Sequence, residues 1–187
     1  MDNKVVTTQL EREAVALHMI RYEARTRTIR LATRLTEDQI RRLYRQARLG
    51  VTAEKAQRHR GRSPTQALQY TRNLATQLEA SILAGVLAKH GMLRGRRDKP
   101  WLNNSLHYAQ RFCVAYGDYQ PLASHEPLNF EQAWHFARSL AARAELYLQR
   151  CSRCASHFVR DTTTVLKGQC PFCQLREQGS RLSGRSD

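Results

Sequence analysis

Cys151-Ser152-Arg153-Cys154, then fifteen residues, then Cys170-Pro171-Phe172-Cys173 is the stretch on which the reading of this chain turns. Two residues between cysteines let one tight knuckle aim both thiolates at a single ion, and two such knuckles complete a tetrahedron. The expectation is one structural zinc ion held by Cys151, Cys154, Cys170 and Cys173, with no coordination position left for a substrate. The same four cysteines admit three disulfide pairings. The spacing fits the metal template, and the rest of the chain argues against an oxidising compartment. Its first residues, Met1-Asp2-Asn3-Lys4, are not followed by the apolar run of a secretory signal. The longest strongly apolar run, Ile82 to Ala88, is too short to span a bilayer. A cytoplasmic protein with reduced thiols is expected.

Between the knuckles, Phe158-Val159 and Thr162 to Leu166 are aromatic or β-branched runs, the composition of a small hairpin pinned by metal. Such a unit has too little core to fold unaided, so metal binding supplies its folding free energy. Outward from the cysteines the chain reads as helical up to residue 149. Thr8 with Glu11, Thr36 with Gln39, and Asn129 with Gln132 each carry the spacing of a helix-opening box. The first opens a helix with Leu10, Ala14, Leu17 and Ala24 on one face. The second opens a helix with Ile40, Leu43 and Ala47, closed by Gly50. A short helix is expected over 52–60, a long one over 65–90, and another over 103–116. The last, from Asn129 to about Gln149, carries Ala133, Ala137, Leu140, Ala144 and Tyr147. From Ser81 to Ala88 the long helix is apolar nearly all round, which implies contact on several sides. The fold class is therefore mainly α: a helical domain over 1–149, a four-cysteine zinc ribbon over 150–176, and a disordered tail over 177–187.

Charge points to the partner. The chain has 31 basic and 16 acidic residues, net +15, an excess that calls for a polyanion such as nucleic acid. A GC-rich genome accounts for arginine over lysine but not for that excess. From Arg21 to Arg62 there are thirteen basic against four acidic residues, and a second cluster is Arg94, Arg96, Arg97 and Lys99. The stretch from Thr36 to Arg60 has helix–turn–helix proportions, with Lys55, Arg58 and Arg60 on the second helix and Arg41, Arg42 and Arg45 on the first, facing phosphates. These six, with Arg96 and Arg97, are the candidate DNA contacts. The competing account is that amphipathic helices with solvated charged faces are common.

An enzyme is not expected. The chain has no glycine-rich phosphate loop, no His-Glu-x-x-His helix and no Gly-x-Ser-x-Gly elbow. Cys113, among Phe112, Val114 and Tyr116, reads as a buried small hydrophobe. Trp101 and Trp134 read as core or interface anchors, and His157 as a bystander to the four thiolates.

Three blocks of residues resemble the FlhC family, the zinc-binding subunit of the bacterial flagellar master transcription regulator. The first runs from Ala24-Arg25 through Thr33, Leu35, Ile40, Leu43 and Tyr44. The second is Phe130, Ala133-Trp134, Arg138 and Leu146 to Leu148, leading into the first knuckle. The third is the knuckles themselves, with Phe158-Val159 and Gln174. The segment over 51–70 departs from the family's pattern, being rich in arginine, glutamine and alanine. The resemblance implies a transcriptional activator subunit that works with an FlhD-type partner in a hetero-oligomer. Such a complex binds and bends double-stranded promoter DNA and recruits RNA polymerase holoenzyme to flagellar genes. The resemblance maps the family's four ligands onto the four cysteines. A zinc-ribbon adaptor for RNA or the ribosome is the alternative.

Overall fold

The three expected boxes are all formed. Thr8 Oγ1 accepts from the Glu11 N–H at 3.2 Å while Glu11 Oε2 accepts from the Thr8 N–H at 2.9 Å. Thr36 and Gln39 reciprocate at 3.3 and 2.8 Å, and Asn129 and Gln132 at 3.0 Å in both directions. Each satisfies two N–H groups that the first helical turn leaves without partners. The computed structural model describes residues 8–49, 66–93, 105–123, 127–142, 145–163 and 170–183. They form α1 (Gln9–Arg21), α2 (Thr26–Thr33), α3 (Glu37–Leu49), a 3-10 turn (Ala67–Tyr70), α4 (Leu74–Lys89) and α5 (Ser105–Tyr119). After them come α6 (Phe130–Ala142), the strands β1 (Leu146–Arg150) and β2 (His157–Asp161), and α7 (Pro171–Ser183). The protein is mainly helical, with its four-cysteine cluster at the C-terminal end. No described helix is long and apolar enough to cross a membrane.

The chain divides into two compact units, Met1–Arg62 with Gly95–Val114 and Ser63–Arg94 with Ala115–Asp187. The division does not fall at residue 149, and the hairpin shares its unit with α4 and α6. In the first unit α1 packs on α2 and α3, and α2 packs on α3. Its core is Met19 and Ile20 of α1, Ile29 of α2, Leu35 of the turn and Ile40 and Leu43 of α3, all at most 2% exposed. Cys113 on α5 is fully buried as expected, and burial pushes its thiol up to about 12. The apolar stripe expected on α1 is not its buried face. Leu10 and Ala14 are exposed and Leu17 half-buried, while Val15, Ala16, Met19 and Ile20 are buried. The helix is apolar on two sides, and the choice between them is made by α2 and α3.

In the second unit α4 lies against β2, α6, α7 and the 3-10 turn, the several-sided contact its composition implies. It starts at Leu74 because Asn73 accepts from the Thr76 N–H at 2.8 Å, later than the expected start near residue 65. Its end is a Schellman motif. Gly91, at φ 67°, donates to the Ala88 carbonyl at 2.9 Å, and Met92 to Leu87 at 2.8 Å. Buried polar groups join the elements. The Tyr119 hydroxyl donates to Glu79 Oε2 at 2.8 Å and accepts from the Leu128 N–H at 3.0 Å. The Tyr70 hydroxyl donates to the Gln132 carbonyl at 2.8 Å. Trp134 is a core residue, stacked on Phe130 at 6.1 Å.

Three expectations about the C-terminal part are corrected. The helix expected to reach Gln149 ends at Ala142, and 146–150 form a strand paired antiparallel to β2, with Leu146 opposite Asp161 and Arg150 opposite His157. Leu146 is buried and Tyr147 exposed, and cross-strand pairing overrides the helical pattern that ran through them. The hairpin therefore flanks the first knuckle. It does not lie between the two knuckles: Thr162 and Thr163 follow β2 as a bend, and 164–166 lie outside the described residues. The tail expected to be disordered from residue 177 is helical as far as Ser183. Pro171 occupies the first helical position, where its missing N–H costs nothing, and α7 packs on α4.

Candidate metal centre

The hairpin register builds the first half of the site. With Arg150 opposite His157, the connecting residues Cys151 to Ser156 close on themselves. Cys151 donates its N–H to the Ser156 carbonyl at 2.9 Å, and Ala155 donates to the Cys151 carbonyl at 3.0 Å. The Arg153 N–H donates to Cys151 Sγ at 3.4 Å. Ala155 sits at φ 61°, the left-handed conformation that turns the knuckle and that a side chain with a Cβ disfavours. The second half comes from a helix start. Cys170 precedes α7 and Cys173 lies in its first turn, where the helix dipole favours negative sulfur.

The four Sγ atoms lie within 4.8 Å of one another. Cys151 is 3.8 Å from Cys173 and Cys154 is 3.7 Å from Cys170, so the short distances cross between the knuckles. Four sulfurs about 2.3 Å from one ion form a tetrahedron with edges of about 3.8 Å. A disulfide needs about 2.05 Å. All four cysteines are free thiols, which removes the disulfide alternative here. His157 is exposed and outside the cluster.

The chemistry of the donor set fits a cation. The Ser156 hydroxyl and N–H bring Cys154 down to about 6, and the Cys154 and Arg153 N–H groups lower Cys151. Cys170 is raised by burial, and Cys173 is raised to about 12, first by its hydrogen bond with Cys154. Thiols this close to one another give up protons to a bound cation, whose charge favours the thiolate form. A cavity of about 290 Å³ opens beside them, walled by Arg150, Arg153, Phe158 and Glu177. Arg153 pairs with Glu177 of α7, joining the knuckle to the helix.

The hairpin itself is held from behind by α4. Gln77 Nε2 donates to the Val159 carbonyl at 2.9 Å, and the Val159 N–H donates to Ser81 Oγ at 3.1 Å. These side chains stand in for a third strand along β2. Asp161, 4% exposed, accepts from Thr71 Oγ1 at 2.8 Å. Sequence reasoning missed all of these residues. The available signal was Gln77, Glu79 and Ser81 in a helix otherwise apolar all round, because polar groups placed there need partners.

Three of the basic candidates, Arg41, Arg42 and Arg45, lie on α3, and the thiols belong to the other compact unit. Arg41 holds Glu37 at 3.5 Å and Asp38 at 3.1 Å, and Arg42 holds Glu13 of α1 at 2.9 Å. Arg45 is exposed and, among the described residues, has no ion pair. Lys55, Arg58, Arg60, Arg96 and Arg97 lie outside the described residues, as do Trp101 and the expected helix over 52–60.

Fold and site define a mainly helical protein with four cysteines arranged as a metal site. No protein-family model matches the chain, and no curated protein matches it in sequence.

Proposed function

We propose that this protein is a DNA-binding transcriptional activator subunit of the FlhC type, carrying one structural zinc ion on Cys151, Cys154, Cys170 and Cys173. The observation that carries the reading is the cluster of four thiols within 4.8 Å of one another, with contacts of 3.7 and 3.8 Å between the knuckles, in a chain of net charge +15. Four thiolates fill the coordination sphere, so the ion staples the hairpin to α7 and does no chemistry. Tetrahedral sulfur also suits iron, and zinc is preferred because it needs no redox protection in a site walled by an open cavity. The residues behind the resemblance sit at structural positions: Ala24, Thr33, Leu35, Ile40 and Leu43 are all at most 2% exposed. They favour a shared three-helix core.

The exposed side of α1 supports a partner subunit. Leu10 is 76% exposed, and Ala14 and Leu17 continue its stripe, the i, i+4, i+7 spacing with which a helix meets a second apolar surface. An FlhD-type subunit would cover it, and the complex would bind and bend promoter DNA in the cytoplasm and recruit RNA polymerase. Affinity would come mainly from arginine–phosphate contacts and fall steeply with salt. The test is mass-spectrometric metal content together with gel shifts on flagellar promoters across a salt series, with and without the partner. One zinc per chain and promoter preference support the reading. Retention of RNA with no preference for promoter DNA turns it into the adaptor reading.

A further inference from the structure

We infer that α2, the turn at Arg34 and α3 form the element that enters the duplex, one helix upstream of where the sequence placed it. This rests on the DNA-binding reading above. An eight-residue helix, the three residues Arg34 to Thr36 and a thirteen-residue helix have the lengths of a helix–turn–helix, with α1 packed across both. The turn is specified twice. Arg34 is left-handed at φ 59° and donates its N–H to the Arg30 carbonyl at 2.9 Å, and Thr36 then caps α3. Ile29, Thr33, Leu35, Ile40 and Leu43 point inward, each at most 2% exposed.

The outward faces are cationic. On α2 they are Arg27, Arg30 and Arg34, at i, i+3 and i+7. On α3 they are Asp38, Arg41, Arg42 and Arg45, at i, i+3, i+4 and i+7, all exposed. Arg30, Arg41 and Arg42 each hold a carboxylate, whereas Arg27, Arg34 and Arg45 have no ion pair among the described residues. A surface on which three guanidinium groups have no ion pair among the described residues, and three more can be released by displacing carboxylates, complements B-form phosphate. Arg27 and Arg34 grip the backbone while α3 lies in the major groove with Arg41 and Arg45 toward base edges. Glu37 joins Arg30 to Arg41 and thereby restrains non-specific binding.

The experiment is fluorescence anisotropy of the full chain on short DNA duplexes and an RNA hairpin over a salt series. Arg27→Ala weakens duplex binding several-fold and lowers the salt slope by about one, and Arg45→Ala weakens it several-fold and relaxes the preference among duplex sequences. Glu37→Gln tightens binding to all duplexes. Arg34→Gly is the control for folding: it relieves the left-handed strain, so the melting temperature holds or rises while DNA affinity falls, which a purely structural arginine would not do. Lys89→Ala, exposed at the end of α4, leaves affinity unchanged. Duplex binding that ignores all four α2–α3 variants, or that Lys89→Ala weakens equally, overturns this placement and leaves the DNA-binding reading standing. A wild-type chain that binds no duplex even at low salt, or prefers the RNA hairpin through the same residues, overturns both.

Discussion

The three-helix unit and the four-cysteine hairpin solve the same problem, holding a small element in shape, by opposite means. In α1 to α3 the instructions are local. Two capping boxes and a left-handed stop at Arg34, each complete within a few residues, set the ends of helices that then share one core. At the hairpin the instructions are remote. Strand pairing joins residues fifteen apart at Leu146 and Asp161, the thiols meet across 22 residues, and Val159 is held by Gln77, 82 residues away. Closure entropy rises only slowly with loop length, but a hairpin with so little core of its own needs an added source of free energy. Here the proposed ion and the side chains of α4 supply it.

The largest expected effect separates the two regions outright. Stripping metal with a strong chelator, or Cys170→Ala, should lower the melting temperature by about 10 °C or more and abolish metal content. Helical signal from α1 to α3 should survive. Loss of both regions in a single transition would break the contrast. The converse is Ile40→Ala, which empties a fully buried site in the three-helix core and should cost about 2–5 kcal/mol in denaturant unfolding. Metal content should be unaffected. Ser81→Ala leaves the Val159 N–H without its acceptor, at about 1–3 kcal/mol, and should speed hydrogen exchange in β2 while sparing α3.

A smaller effect is pH-dependent. Burial, and to a lesser degree Arg138, lowers the pKa of His135 below its ordinary 6.5, with Glu145 partly opposing. The unfolded chain then binds the proton first, so this contribution is complete above 6.5 and is lost as pH falls through 6.5 toward the folded value. Urea midpoints measured in acid should show a steeper decline for the wild type than for His135→Gln. The smallest change is a gain. Gly85 lies exposed within α4, and a Cβ there meets nothing within 4 Å, so Gly85→Ala should add up to about 1 kcal/mol. A loss instead would mean that this face of α4 is covered in solution.

The same division marks what could be read in advance. Thr8, Thr36 and Asn129 announced their helices because a capping box is complete within four residues. The cysteine spacing announced the site because two short knuckles carry most of its geometry. Tyr147 misled because it continues a helical stripe from α6 while its actual partner, Arg160, lies across a turn. The α1 stripe misled because Leu10, Ala14 and Leu17 are as apolar as the face that is buried. The stop between α2 and α3 gave no signal because its left-handed residue is Arg34 and not a glycine.

Residue types and their spacing were enough to show that the protein is mainly helical, where three helices begin, and which four sulfurs form the cluster. Those features depend on residues within one turn of a helix or one knuckle. Only the tertiary structure decided that residues 146–150 extend as a strand, which face of α1 is buried, and that Gln77 and Ser81 hold β2. Each of those outcomes is a choice between alternatives nearly equal in local propensity, and the partner that tips it arrives from far along the chain.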